Sequence, residues 1–429
     1  MTCTPQRLPH IVSAPRFLLS LAVVIYVVGR MAAICGPGEF DSFLYSVSAY
    51  KVWQPGATVD DLVSEKPAGQ PILTGWCYRL AWGRPSRLTL VPIESAFLLG
   101  AYGVFWLLAR RLFGRRVAAF LTFFFVIAHN VYSVNDGFNL NESYLALPSL
   151  LAVLAHLTMD RPLRRGFFRG IGLGLALAIK QTAVGLPLVC LLHGLVHTIG
   201  YKRWREGLSA FAMTWVGMAV AWAPVVVFLS ARGWLRIHLH DLMTLSGRHA
   251  SSMPVGIPDW DRLSPVLPLI WWSILGMVGW LVLRTRAACR SRDASTAGRR
   301  LCSSRRSAVA FAWLWFSIEA VVIWAMVKPW AHYYEQIVAP AALLAGFGIT
   351  TLARSIMPAR TNQRMVTWRW VCATTGVLTM VAAMPLLVAT SPRIDRLDRE
   401  MEIKRFEQWL DKWSCKPIGE FFREIGHET

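Results

Sequence analysis

Long apolar runs separated by short clusters of arginine alternate along this chain, and that alternation limits its folds more than any other feature. One helix crosses a bilayer core with about 20 mostly apolar residues. Eleven stretches of the 429-residue sequence meet that criterion, at about 17–35, 88–109, 117–134, 143–159, 166–180, 183–199, 208–231, 263–283, 307–327, 336–353 and 368–390. Hydrophobic residues make up 55% of the chain and charged residues 16%, against about 25% charged in soluble domains. A water-soluble fold is excluded, and an all-α polytopic membrane protein of about eleven spans is expected. The run 166–199 is ambiguous, because a continuous helix of that length would reach about 50 Å, too long for one crossing and short for two. Arg161, Arg164, Arg165 and Arg169 precede it and Lys202, Arg203 and Arg205 follow it. Both ends therefore belong on one side, which requires two short crossings that turn near Lys180 and Gln181.

The net charge of +20 takes its meaning from where the charges sit. With the N-terminus inside, six short inner segments (1–16, 110–116, 160–169, 200–206, 284–306, 354–369) hold 25 of the 45 lysines and arginines and only three acids. That asymmetry orients the chain in a cell membrane, with the N-terminus cytoplasmic and, for an odd number of spans, the C-terminus outside. A nucleic-acid partner is excluded, since the positive charge is spread over six loops and forms no groove. The first span reads as an uncleaved signal anchor. Eight scattered cysteines without a CxxC pair signal neither a disulfide framework nor a zinc site. Two units follow: a transmembrane domain over 1–390 and a charged, amphipathic outer tail over 391–429, with eight basic and nine acidic residues.

The acids gather on the outer face, and the first outer loop, 36–87, is long enough to carry function. Asp41 follows the first span, with Tyr45 one helical turn later on the same face. From Phe43 to Trp53 the pattern is aromatic and amphipathic, which predicts a helix in the membrane interface. Glu65-Lys66-Pro67 then precedes a glycine- and proline-punctuated turn. Asp41 equally suits an N-cap, and Lys66 equally suits an interfacial lysine that keeps its charge in water. Glu142 and Lys180 lie at or within apolar segments, where ionisable groups are expensive. For Glu142 a place in an outer cavity and a helix-capping role stay open, and for Lys180 a functional role and a structural ion pair. Glu94, Glu319 and Glu335 lie near spans without an assignable role. His193 and His197 share a helix face near the inner end and read as boundary histidines.

An acid after the first span with Tyr following (Asp41, Tyr45), then E-K-P-x-G (Glu65 to Gly69), resembles the bacterial polyprenyl-phosphate-sugar glycosyltransferases of the dolichyl-phosphate-mannose protein mannosyltransferase and aminoarabinose transferase superfamily. Asn139-Leu140-Asn141-Glu142 with Pro148 is similar to its second acidic motif. Gly170 to Gln181 is similar to its glycine-rich segment ending in Lys-Gln, and His332-Tyr333-Tyr334 before Pro340 to its late outer loop. These segments fall in the family's order over about the first 350 residues. Three positions depart from the pattern: Ser42 stands where an acid commonly follows Asp41, K-P-A replaces K-P-P, and Glu142 replaces the commoner Asp.

The resemblance implies a GT-C-type bundle and transfer of a sugar, with inversion, from a polyprenyl-phosphate donor to an acceptor hydroxyl of a protein, lipid or glycan on the outer face. It implies Asp41 as general base, Lys66 as the contact to the donor phosphate with Arg248 as a second cation, and Glu142 beside the reacting groups. Tyr45, Glu65, His332 and Tyr333 are supporting residues. No cofactor is required; a divalent metal ion held by Glu65 with His249 or His332 is a further candidate. Two other classes stay open, a polytopic carrier or lipid flippase using Glu142, Lys180 and Glu319 as a path, and an inactive scaffold that keeps the fold.

Overall fold

A computed structural model of the chain describes residues 14–35, 40–62, 66–81, 87–135, 141–252, 274, 296–325 and 335–356. The expected span at 263–283, apart from residue 274, the span at 368–390 and the tail at 391–429 lie outside the described residues. Within them every regular element is helical. Following the chain, these are α1 (Ala14–Cys35), α2 (Phe40–Lys51), α3 (Gly69–Ala81), α4 (Arg87–Phe113), α5 (Arg115–Asn135) and α6 (Asn141–Thr158). The order continues with α7 (Pro162–Ile179), α8 (Gly185–Tyr201), α9 (Trp204–Ala231), α10 (Leu235–Ser252), α11 (Thr296–Ala325) and α12 (Glu335–Ile356).

Nine of the eleven expected spans thus coincide with helices, several of them running past the apolar run at one or both ends. Among the described residues, three stretches are long and apolar enough to cross a membrane by length and composition alone, Leu90–Phe113, Gln181–Gly200 and Trp204–Ala231. α11 and α12 contain shorter apolar stretches, Ser307–Ile323 and Glu335–Thr350.

Helices α1, α4, α5, α6, α11 and α12 enclose the main core. Phe105 and Phe125 stack at its centre with ring centroids 4.4 Å apart. α7 lies along α9 on one side and α6 on the other. Between α7 and α8 the helix breaks: Lys180 is extended, with φ −149° and ψ 129°, and Gln181–Val184 form one turn of 3-10 helix. The two helices run back past each other, which brings Arg169 of α7 up to Gly194 of α8. The bundle therefore has two unlike ends, one carrying the arginine clusters and the other carrying α2, α3 and the α7–α8 break.

The aromatic helix expected to lie in the interface is covered instead. Leu44, Tyr45, Ser46, Ser48, Ala49 and Lys51 of α2 are all buried. The reason is that α3 folds back on α2, so the aromatic groups of the loop meet protein in place of lipid headgroups.

Candidate active site

The first loop is built as a small folded cap. Asp61 closes it: its carboxylate lies 3.8 Å from Lys51 Nζ and accepts from the Thr58 backbone N–H at 2.9 Å, while its carbonyl accepts from Ser48 Oγ at 2.8 Å. The Trp53 indole donates to the Ile72 carbonyl at 3.1 Å and packs on Phe228 of α9, centroids 4.7 Å apart. At the start of α3, a Cβ on Gly69 would run into the backbone carbonyl of Ala178 at the end of α7. Only glycine lets the cap dock this closely on the α7–α8 break. Tyr78 of α3 is fully covered, and burial pushes its phenol well above the ordinary value, with Ser46 pulling the other way. It stays a neutral group.

Asp41 occupies the second position of α2, four residues before buried Tyr45. Lys66 is half-buried, three residues ahead of α3. Arg248 falls toward the end of α10; for it, as for Asp41, only the helical backbone is described. Glu65, His332 and Tyr333 lie outside the described residues. The side chain of His249 does too, so the metal candidate built on Glu65 with His249 or His332 falls outside as well. Among the described residues no group of three or more His, Cys, Asp and Glu is arranged to hold a metal ion.

Beneath the cap, ionisable side chains from six helices are buried within the bundle. Glu142, in the first turn of α6, forms an ion pair with Lys180 at the α7–α8 break, and both are buried. Glu142 also borders a narrow cavity between α5, α6, α11 and α12, together with Ser149, Trp315, Glu319, Glu335 and Gln336. Behind Glu335, His129 Nε2 lies 3.2 Å from its carboxylate and Nδ1 lies 3.3 Å from the Tyr102 hydroxyl. Arg30 of α1 donates to Glu94 of α4 at 3.0 Å.

Arg30, His129 and Glu335 received no role from the sequence, and Glu319 only one in the carrier alternative. Each was visible as an ionisable group in an apolar run, but the run does not say which helix it faces. A second buried network sits toward the arginine end. Arg169 Nη1 donates to His156 Nδ1 at 3.0 Å, and His156 Nε2 lies 2.9 Å from His193 Nδ1. Because arginine only donates, His156 must accept at Nδ1 and donate from Nε2. His193 in turn donates from Nε2 to the Ser307 carbonyl at 3.1 Å. That network ties α6, α7, α8 and α11, with half-buried His193 bonded to both α6 and α11.

The chain is similar in sequence to a glycosyltransferase family and in fold to solved proteins. The profile of Glycosyltransferase family 87 matches residues 85–304, just over half of the chain. The fold resembles ArnT from Cupriavidus metallidurans in the apo state, with TM-score 0.56 and 17% identity over 91% of this chain and 68% of that one. The same enzyme bound to undecaprenyl phosphate aligns with TM-score 0.55 and 17% identity, over 92% of this chain and 76% of that one. The archaeal oligosaccharyltransferase AglB from Archaeoglobus fulgidus, in complex with an inhibitory peptide and a dolichol-phosphate, aligns with TM-score 0.51 and 13% identity. That alignment covers 88% of this chain and 55% of AglB. No curated protein matches the sequence.

Proposed function

The chain belongs to glycosyltransferase family 87, and on that footing we propose that it moves a sugar from a polyprenyl-phosphate donor to an acceptor hydroxyl at the cap end of the bundle, on the outer face of the cell membrane. The observation that carries this reading is the docking of the cap: the loop bearing Asp41 and Lys66 is folded and packed directly on the α7–α8 break, above a buried acidic cavity. The fold shared with a protein that binds undecaprenyl phosphate and with one that binds dolichol-phosphate supports the choice of donor.

A polyprenyl phosphate leaves as an anion, so the reaction needs charge stabilisation on the leaving side and a base on the attacking side. Lys66 supplies a mobile point charge for the phosphate, and Arg248 of α10 adds a second cation from the same end of the bundle. Asp41 takes the proton of the acceptor hydroxyl as it attacks the anomeric carbon from the face opposite the phosphate, which inverts that centre. One carboxylate base is enough, in contrast to the two carboxyl groups of a glycoside hydrolase. Glu142 reaches the reacting groups from beneath, and Tyr45, Glu65, His332 and Tyr333 line the approach. The acceptor is a protein, lipid or glycan hydroxyl.

The test is transfer of radiolabel from polyprenyl-phosphate sugars by the purified chain in lipid nanodiscs. Asp41→Asn is expected to lower turnover by about 100- to 10,000-fold. Lys66→Ala is expected to weaken donor binding by about tenfold or more, the loss of a charge-assisted contact. Undiminished transfer by Asp41→Asn removes Asp41 as the base. Movement of a solute across vesicles without any donor would replace the reading by a carrier.

A further inference from the structure

Among the described residues, the cavity between α5, α6, α11 and α12 holds buried polar atoms without hydrogen-bond partners. Glu319 is 3% exposed, the Trp315 indole donates to its carboxylate, and its Oε2 finds no hydrogen-bond partner among the described residues. Gln336 Oε1, on the same wall, is likewise buried without a donor. Buried polar groups in folded proteins are nearly always hydrogen-bonded, and each one left unmade costs stability. The wall therefore suits a group that brings hydrogen bonds of its own, such as a hydroxyl, which both donates and accepts.

Charge narrows the class of that group. Glu142, Glu319 and Glu335 border the cavity, and Lys180 is engaged by Glu142. Among the described residues no lysine or arginine borders the cavity, so a phosphate would find no cation on its wall. The cavity is too narrow for a whole saccharide but admits one hydroxyl-bearing edge of a ring, with Trp315 as an apolar side wall.

Resting on the transferase reading above, we propose that this cavity receives the hydroxyl-bearing edge of a saccharide ring, with Glu319 Oε2 hydrogen-bonded to one of its hydroxyls and the Gln336 amide oxygen accepting from another. The lipid phosphate stays outside, at Lys66. Glu319 is then a specificity-determining residue of the site. The ring comes from the donor sugar or from an acceptor glycan, and the two sources are separable.

The full chain in lipid nanodiscs is treated with dicyclohexylcarbodiimide, which reacts with carboxyl groups buried in membranes, and labelling of Glu319 is read by peptide mass spectrometry. Four conditions are compared: no addition, polyprenyl phosphate alone, polyprenyl-phosphate pentoses and hexoses, and free glycans. Labelling without addition and at least tenfold slower labelling with one class of sugar is the expected result, and the protecting class names the source. Equal protection by bare polyprenyl phosphate overturns the proposal, because the lipid then covers the cavity. So does protection by no sugar, or a Glu319 that stays unlabelled in the sugar-free protein.

A second readout compares transfer between each parent sugar and analogues lacking one hydroxyl. The wild type is expected to discriminate against one analogue by about tenfold or more, and Glu319→Gln to lose most of that discrimination. A uniform loss for parent and analogues alike marks Glu319 as structural. Absence of transfer in a preparation whose Glu319 is still protected by sugar overturns the transferase reading and leaves the saccharide subsite standing.

Discussion

The Lys180–Glu142 pair shows how a single residue acquires its meaning from its partner. Lys180 ends α7 where the backbone turns extended, and Glu142 opens α6; 38 residues separate them in sequence. Each was recognisable as an expensive group in an apolar context, but spacing along the chain does not report contact between helices, so the pairing was not legible. Removing one member leaves the other charge buried and uncompensated, whereas removing both does not. Lys180→Met is expected to destabilise the protein by about 3–5 kcal/mol. The double variant Lys180→Met/Glu142→Leu should recover most of that loss, measured as thermal unfolding in detergent. If the double variant is as unstable as the single one, the pair is not what holds the α7–α8 break to α6.

The glycines of α7 make sense at the level of the element. In the sequence they appear as a glycine-rich segment ending in Lys-Gln; in the fold they are the surface on which α9 and α6 lie. A Cβ on Gly166 would strike the Ala210 carbonyl and one on Gly170 the Thr214 carbonyl, while Gly217 of α9 faces Phe167 in return. On the opposite side Gly172 meets Pro148 and Ala152 of α6. Four-residue spacing of small residues lets helix backbones approach within a membrane, where packing replaces the hydrophobic driving force. Gly170→Ala should therefore lower stability by about 1–3 kcal/mol, the usual cost of overpacking, even though alanine favours a helix by about 1 kcal/mol over glycine. Gly103→Ala is the control, because nothing lies within 4 Å of a Cβ there, and it should leave the unfolding temperature unchanged or raise it. A rise for Gly170→Ala would mean that α7 and α9 do not pack this closely. The helices themselves were legible because apolar run length and flanking charge act locally. What the run cannot show is which of its faces needs glycine, nor that α2 would be covered by α3, since both depend on neighbours distant in sequence.

At the scale of the whole molecule, the two ends of the bundle differ in charge and in architecture, and the two differences coincide. The short α4–α5 connection at Gly114 is flanked by exposed Arg110, Arg111, Arg115 and Arg116. At the other end the chain folds into a cap with buried Asp61 and exposed Asp60, above the acidic cavity. Basic loops are retained on the cytoplasmic side during insertion, so the cap and everything it covers should face outward, where a lipid-linked sugar and its acceptor meet. Orientation is therefore a condition of the proposed chemistry: a cap on the cytoplasmic side would leave Asp41 and Lys66 away from the outer leaflet. Alkaline phosphatase, active only outside the cytoplasm, provides the measurement when inserted at exposed Gly56 in the cap or at Gly114 between the arginines. Activity at Gly56 should exceed that at Gly114 by about tenfold or more, a ratio equivalent to the 1.4 kcal/mol by which any two-state preference changes tenfold. Replacing Arg110, Arg111, Arg115 and Arg116 with glutamine should narrow that ratio, because those four charges are expected to hold the α4–α5 turn inside. Equal activity at both positions, or a reversed ratio, would place the cap on the cytoplasmic side and remove the outer-face site.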